Sequence, residues 1–466
     1  MKTQTAPYHI HPTPKIAEPS CGVFKSRFPD RPMTPEEIKA FQPHPWVSEK
    51  DMPLAVERAR TRMEVAGVWA PNQILGRRYS IGCVALEITQ RCNLDCTLCY
   101  LSENSESVKD IPMEEIFRRI DQIKLQFGPS NDIQITGGDP TLRKRSELME
   151  IVRYIRKIGM RPTLMTNGIA ATRDMCEELV ANGLNDIAFH VDLTQERKGY
   201  KSEMELNKFR KDYIERVRGL PIAVIFNTTV FKDNFHEIPD LIRFFKANTD
   251  VVGMASFQLQ ADTGRGVLKK RDEIISLETV TEKIQEGAGT KISFDTARIG
   301  HPKCHKYGLT LEANGKLFDF LDDPEWFNLL IEKTRGLELD RTSKPKLIKN
   351  IFQWLSKNPG ILIPTLSFLS KKIWTMKWDV LKARKVRKLS FFAQNFMDAS
   401  SLEVDRIHAC SFMVMTPQGP ISMCMHNAKR DDYILQPIQL KTKEVWQPLT
   451  GKKEASPVAQ KPEEKT

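Results

Sequence analysis

The sequence predicts an α/β fold built as a curved, incomplete barrel of six βα units. Two observations carry this. From Val84 onward, short apolar segments alternate with amphipathic stretches of helix length, the pattern of βαβ units and a parallel sheet. Polar residues gather at the C-terminal ends of the apolar segments, where parallel α/β folds place their chemistry.

The strand segments are 84–89, 132–136, 162–166, 186–192, 222–230 and 252–260, and the helical ones lie near 113–127, 145–158, 172–182, 203–218 and 236–247. Together they define a barrel over 81–270. Residues 1–80 are rich in proline (Pro12, Pro14, Pro19, Pro29, Pro32, Pro35, Pro43, Pro45), which predicts a partly irregular extension with one helix in 51–67. Residues 271–300 read as a helical connector that opens a C-terminal domain ending at 440. The tail 441–466 is rich in Lys, Glu, Pro and Gln and is expected to be disordered.

The chain of 466 residues is 40% hydrophobic and 28% charged, a globular composition. It contains no apolar run long enough for a transmembrane helix, and its first residues lack the apolar core of a signal peptide. A cytoplasmic location is expected, where the nine cysteines suit metal binding better than disulfides.

The net charge of +11 is localised. Residues 344–397 hold twelve Lys or Arg and one acid, Asp379, so this segment alone accounts for the excess. Within it Trp374, Trp378 and Leu381 follow helical spacing, and Leu389, Phe392 and Phe396 resume it after Lys385. Basic amphipathic helices with boundary tryptophans lie in membrane interfaces. A helix pair packed on the barrel and a phosphate-binding nucleic-acid surface are the alternatives. The density of Trp, Phe, Leu and Ile favours an anionic membrane surface over nucleic acid.

The first strand segment leads into Arg91-Cys-Asn-Leu-Asp-Cys-Thr-Leu-Cys-Tyr100, a C-x3-C-x2-C spacing. Three thiolates on one short loop, Cys92, Cys96 and Cys99, can hold three irons of a [4Fe–4S] cube and leave the fourth iron open. Structural zinc sites pair C-x2-C units with a further Cys or His nearby, and the next histidine here is as distant as His190. After the second strand comes Gly137-Gly138-Asp139-Pro140, and Thr166-Asn167-Gly168 ends the third. The fourth ends with His190 and Asp192, followed by Arg197. The fifth presents Asn227 and Thr229, and the sixth Gln258 and Gln260.

These motifs resemble the radical S-adenosylmethionine (radical SAM) enzymes. The resemblance implies that the open iron binds the amino and carboxylate groups of SAM. One electron, from a reductant such as flavodoxin or ferredoxin, then cleaves the C–S bond to give a 5′-deoxyadenosyl radical. It also implies that backbone groups of Gly137, Gly138 and Asp139 bind the SAM amino group, with Asp139 in place of the family's usual Glu. Thr166, Asn167, His190, Asp192, Arg197 and Asn227 are implied around its ribose and carboxylate. An aromatic residue often precedes the third cysteine; Leu98 stands there, and Tyr100 follows instead.

Cys304, Cys410 and Cys424 lie far apart in the chain beside turn residues and histidines. They are expected to hold an auxiliary [4Fe–4S] cluster, its fourth ligand being His301, His305, His408, His426 or substrate; the alternative is unconnected core cysteines. Cys83 and Cys176 are expected to be structural, and Cys21 is set aside from the ligand set. The Gly-His-Pro element and the later Cys…Pro-x-x-x-Cys-x-His-Asn pair resemble the branch containing archaeal tetraether lipid synthases and a related pterin-methylating enzyme. Those relatives carry further cysteines that are missing here, so at least one of their iron sites is expected to be absent.

Two functions remain open at this point. One is hydrogen abstraction from a lipid or other apolar substrate at a membrane surface. The other is modification of a peptide or soluble metabolite with help from the auxiliary cluster. Neither the catalytic residues nor the choice between oxidoreductase and transferase can be read from the chain.

Overall fold

The computed structural model describes residues 26–335 and 344–455. Cys21 and residues 456–466 of the tail lie outside them.

The first six strands fall where the alternation placed them: β1 (Cys83–Thr89), β2 (Asp132–Gly137), β3 (Arg161–Thr166), β4 (Asp186–His190), β5 (Ala223–Val230) and β6 (Val252–Leu259). They pair in sequence order, all parallel. Every residue of β1 is buried, as in strands covered on both faces. The intervening helices bury one stripe each. In Met113–Phe127 that stripe is Ile116, Ile120, Ile123 and Phe127, at steps of three and four. The expected 51–67 helix is Ala55–Val65, entered through a 3-10 turn at Glu49–Leu54.

Beyond residue 300 the chain adds to this same sheet. Strands β7 (His305–Ala313), β8 (Lys316–Asp319), β9 (Arg387–Asn395), β10 (Phe412–Thr416) and β11 (Gly419–Ser422) complete an eleven-stranded sheet ordered β11-β10-β1-β2-β3-β4-β5-β6-β9-β7-β8. β10 lies parallel to β1 and β9 parallel to β6, so eight parallel strands curve around one interior. Among the described residues β9 and β10 share no ladder. Side chains close that seam instead: His305 stacks on Phe392 at 5.3 Å and lies tilted against Phe412 at 5.2 Å, and Ser411 Oγ lies 2.7 Å from His305 Nε2.

Two expectations need correction. Leu389 and Phe392 lie on strand β9, not on a second amphipathic helix, because the segment from Arg387 to Asn395 is buried between β6 and β7. The helical part of the basic segment is confined to Lys344–Ser356 and Pro359–Ala383. The tail is ordered as far as residue 455. Strands β12 (Ile438–Gln439), β13 (Glu444–Trp446) and β14 (Lys453–Ala455) form a small antiparallel sheet, with Trp446 buried in the main core.

Candidate active site

A cavity of about 840 Å³ opens at the C-terminal ends of β1–β6 and runs down the inside of the sheet. Cys92, Cys96 and Cys99 all line it, each half-buried. Burial raises the thiol pKa of Cys92 and Cys96, and the neighbouring thiols add to the rise.

The cysteine loop is clamped from two sides. The Gly138 and Asp139 amides donate to the carbonyls of Thr89 and Arg91 at 3.0 and 2.8 Å. A Cβ on Gly137 would meet Thr89 O at 1.9 Å, and one on Gly138 would meet Arg91 O at 2.0 Å. The glycine pair therefore lets strand β2 press against the root of the loop. A register shift between Glu87 and Thr89 turns β1 into that contact. On the other side Gly266 N donates to Cys99 O and Val267 N to Thr97 O at 3.2 and 2.8 Å. Arg265 sits against the Cys99 sulfur and pairs with Glu106 at 2.8 Å. The run Gly264-Arg265-Gly266 escaped sequence reasoning; its signal was a charged residue between glycines just past the C-terminal end of β6.

Asp139 is fully buried, and its carboxylate is spent inside the protein. It accepts from Thr141 N and Oγ1 at 3.0 and 2.5 Å, from Thr166 Oγ1 at 2.9 Å and from Asn167 N at 2.8 Å. It ties the second strand end to the third. Asp192, also fully buried, does the same for the fourth and fifth. It accepts from Thr194 N and from Thr229 N, and holds His190 Nε2 at 2.6 Å. Burial would raise the Asp192 pKa, but the His190 charge and hydrogen bonds bring it down to about 2. Burial would likewise lower the His190 pKa, but the Asp192 carboxylate raises it above its ordinary value. His190 lines the cavity.

Arg197, expected around the SAM ribose and carboxylate, is not among the residues that line the cavity. It donates to Gln195 Oε1, Tyr213 Oη and Asn167 O at 2.9, 3.1 and 3.1 Å and lies over the Phe209 ring. Tyr100 donates to Gly137 O at 2.6 Å, and Arg430 lies 4.7 Å over its ring. Arg430 also pairs with buried Glu87 at 2.8 Å. Gly137, Gly138, Asp139, Thr166, Asn167, Tyr100 and Asn227 all line the cavity.

The later cysteines converge at the seam. Cys304 precedes β7, Cys410 precedes β10, and Cys424 lies on the short helix after β11. Cys410 is close enough to raise the thiol pKa of Cys304 and of Cys424, on top of the larger effect of burial, which puts them at about 11 and 12. Arg406 Nε donates to Cys304 Sγ at 3.3 Å. Cys83, expected to fill core space, belongs to the same neighbourhood. It opens β1, pairs in register with Phe412, lines the cavity and feels the Cys410 charge. Of the nearby histidines, His301 is held by Asp405 at 3.1 Å and His408 stacks on Phe28. Cys176 is buried on a barrel helix, as expected.

The basic helices present a third feature. Helix Pro359–Ala383 docks through Phe368, stacked on Trp326 at 3.7 Å, and through Lys372, which donates to Asp319 O at 2.6 Å. Its opposite face is bare: Ile363, Ile373, Trp374, Trp378 and Leu381 are 66 to 71% exposed, and Phe352 on the preceding helix is 69% exposed. Among the described residues no helix is long and apolar enough to cross a membrane.

Residues 86–245 match the radical SAM superfamily. The 7,8-dihydro-6-hydroxymethylpterin dimethyltransferase of Methanocaldococcus jannaschii is 26% identical over 384 residues, 73% of this chain and 76% of that protein. Residues 86–245 form a radical SAM domain. The Fe-coproporphyrin III synthase of Methanosarcina barkeri is 30% identical over 282 residues, spanning 59% of this chain and 63% of that one. Streptococcus suis SuiB bound to its precursor peptide SuiA aligns with 44% of this chain and 46% of that one, at 19% identity and a TM-score of 0.36. This radical SAM protein is an enzyme, and its superfamily works with a [4Fe–4S] cluster and SAM.

Proposed function

We propose that this radical SAM enzyme works at an anionic membrane surface on a lipid or other apolar substrate. The observation that carries the reading is the bare apolar face of Pro359–Ala383, flanked by Lys371, Lys377, Lys382 and Lys385. Attraction of a cation to an anionic leaflet is worth about 1 kcal/mol, so four act together as a firm peripheral anchor. Trp374 and Trp378 suit the headgroup level.

Cys92, Cys96 and Cys99 hold the SAM-binding cluster, with Gly137, Gly138, Asp139, Thr166, Asn167, His190 and Tyr100 shaping the SAM side of the cavity. Asp192 and Arg197 act as braces for those residues, since Asp192 holds His190 and Arg197 donates to Asn167 O. When bound, the cluster and SAM supply reductive cleavage of SAM and hydrogen abstraction from a substrate C–H bond. The protein orients the substrate, keeps water out and fixes a charged pair, His190 and Asp192, beside the strand ends.

Cys304, Cys410 and Cys424, joined by Cys83, hold a second iron–sulfur cluster at the seam. Four thiols complete its coordination without a histidine. This set also supports the second reading, in which the substrate is a peptide or soluble metabolite and the seam cluster takes up an electron.

Vesicle flotation separates the two. The reconstituted enzyme is expected to float with phosphatidylglycerol vesicles and not with phosphatidylcholine ones. Trp374→Glu with Trp378→Glu should cut flotation at least tenfold. Wild-type enzyme that stays in the soluble fraction would remove the membrane reading and leave the soluble-substrate one.

A further inference from the structure

Each cysteine set is faced by a guanidinium, and the two guanidiniums are balanced differently. At the loop, Arg265 beside Cys99 is matched by two carboxylates, Glu106 at 2.8 Å and Asp95 at 3.5 Å. At the seam, buried Arg406 on the short helix Val404–His408 points its Nε at Cys304 Sγ, 3.3 Å away. Its Nη1 donates to Glu403 at 2.7 Å, but the other oxygen of that carboxylate accepts from Lys303 at 3.0 Å. One carboxylate thus serves two cations. A buried charge is stable only with anionic partners. A thiol is a weak acceptor for such a donor, whereas a metal-bound thiolate is a strong, charged one. The surroundings of Cys304 therefore fit an anionic iron–sulfur cluster better than a free thiol.

The contact is held rigidly. Asn395, at the end of β9, uses all four of its polar groups here. Its backbone N–H donates to Cys304 O at 2.8 Å and its Nδ2 to Lys303 O at 2.9 Å. Its backbone carbonyl accepts from Arg406 Nη2 at 2.6 Å, and its Oδ1 accepts from Arg271 Nη1 at 2.6 Å. The sulfur-bearing residue and the guanidinium are thereby fastened to one residue of the sheet. Arg271, on the chain leaving β6, faces Asp398 and also feels the Cys424 charge.

We propose that Arg406 sets the reduction potential of the seam cluster, acting through Cys304. It is a positioning residue: it donates to a ligand and does not line the cavity. Reduction adds one electron to a cluster. A fixed cation and an N–H···S bond both stabilise that added charge, so the guanidinium raises the potential. This rests on the seam-cluster reading and gives that cluster the bias toward its reduced form that electron uptake needs.

The test is potentiometry followed by electron paramagnetic resonance in the Cys96→Ala background, where iron is expected at the seam. Arg406→Gln removes the charge. At a fixed potential its reduced-to-oxidised ratio should fall at least tenfold, a midpoint lower by about 59 mV for one electron. Arg406→Lys keeps the charge, shifts the donor and should recover part of that loss. Iron per chain shows whether each variant still carries the cluster. Should Arg406→Gln lose its iron, Arg406→Lys against the parent decides, with an expected fall of at least threefold. Equal midpoints in the iron-loaded proteins overturn the proposal. Loss of iron from both variants also overturns it, since Arg406 would then be a support for the ligand and nothing more. A Cys96→Ala parent without iron overturns the seam-cluster reading and the inference with it; an iron-loaded parent with an indifferent midpoint overturns the inference alone.

Discussion

The three thiols of the first loop and the four at the seam are held in opposite ways. Cys92, Cys96 and Cys99 fall within eight residues, and neighbouring backbone fixes their loop: Gly137 and Gly138 below it, Gly264 and Gly266 beside it. Cys83, Cys304, Cys410 and Cys424 come from four distant places. They meet because β10 returns to flank β1 while β9 flanks β6. The first set depends on local close approach, the second on the completion of the whole sheet. Damage to the loop should therefore leave the seam intact, and damage to the seam should leave SAM chemistry in place.

The largest effect is expected from Cys96→Ala. Formation of 5′-deoxyadenosine should fall by at least about a thousandfold, some 4 kcal/mol of barrier, while the seam cluster still loads with iron. Loss of all iron in this variant would break the comparison.

Gly138→Ala comes next. A methyl group at 2.0 Å from Arg91 O cannot be accommodated without moving the loop, so stability should fall by roughly 3 kcal/mol. Thermal melting would show it, and iron should be lost from the loop site before the seam.

The triple variant Cys304→Ala, Cys410→Ala, Cys424→Ala sharpens the other half. Iron should drop from about eight per chain to about four, with SAM cleavage retained. Iron unchanged in this variant would remove the seam cluster from the account.

The smallest effect concerns the buried pair behind the fourth and fifth strands. Asp192 has its pKa lowered to about 2, so its stabilisation is complete above the ordinary carboxylate value and fades as pH falls toward 2. The shift corresponds to roughly 2 kcal/mol. His190 works in the other direction: its raised pKa gives stability that is complete below the ordinary imidazole value and is lost as pH rises through the folded one. The Tm of wild type should therefore decline at both ends, and that of Asp192→Asn should depend less on pH in each window.

Much of the barrel was legible because period and spacing are local properties. The βα alternation placed β1–β6 and their helices, and the C-x3-C-x2-C loop declared its own chemistry. What stayed hidden depended on partners. Leu389, Phe392 and Phe396 keep helical spacing, yet β6 and β7 sandwich the first two into a strand. Asp139, Asp192 and Arg197 are implied around SAM by resemblance; only the folded chain shows that their side chains also bond Thr141, His190 and Tyr213. Cys83 resembled any buried thiol at a strand start until β10 brought Cys410 beside it.

The central claim is that the loop thiols hold a cluster with one iron open to SAM, and the reduced enzyme carrying Cys304→Ala, Cys410→Ala and Cys424→Ala tests it most directly. With the seam cluster removed, electron paramagnetic resonance should show a single reduced [4Fe–4S] signal whose g-values shift when SAM is added. A signal indifferent to SAM, or no signal at all, would contradict the account.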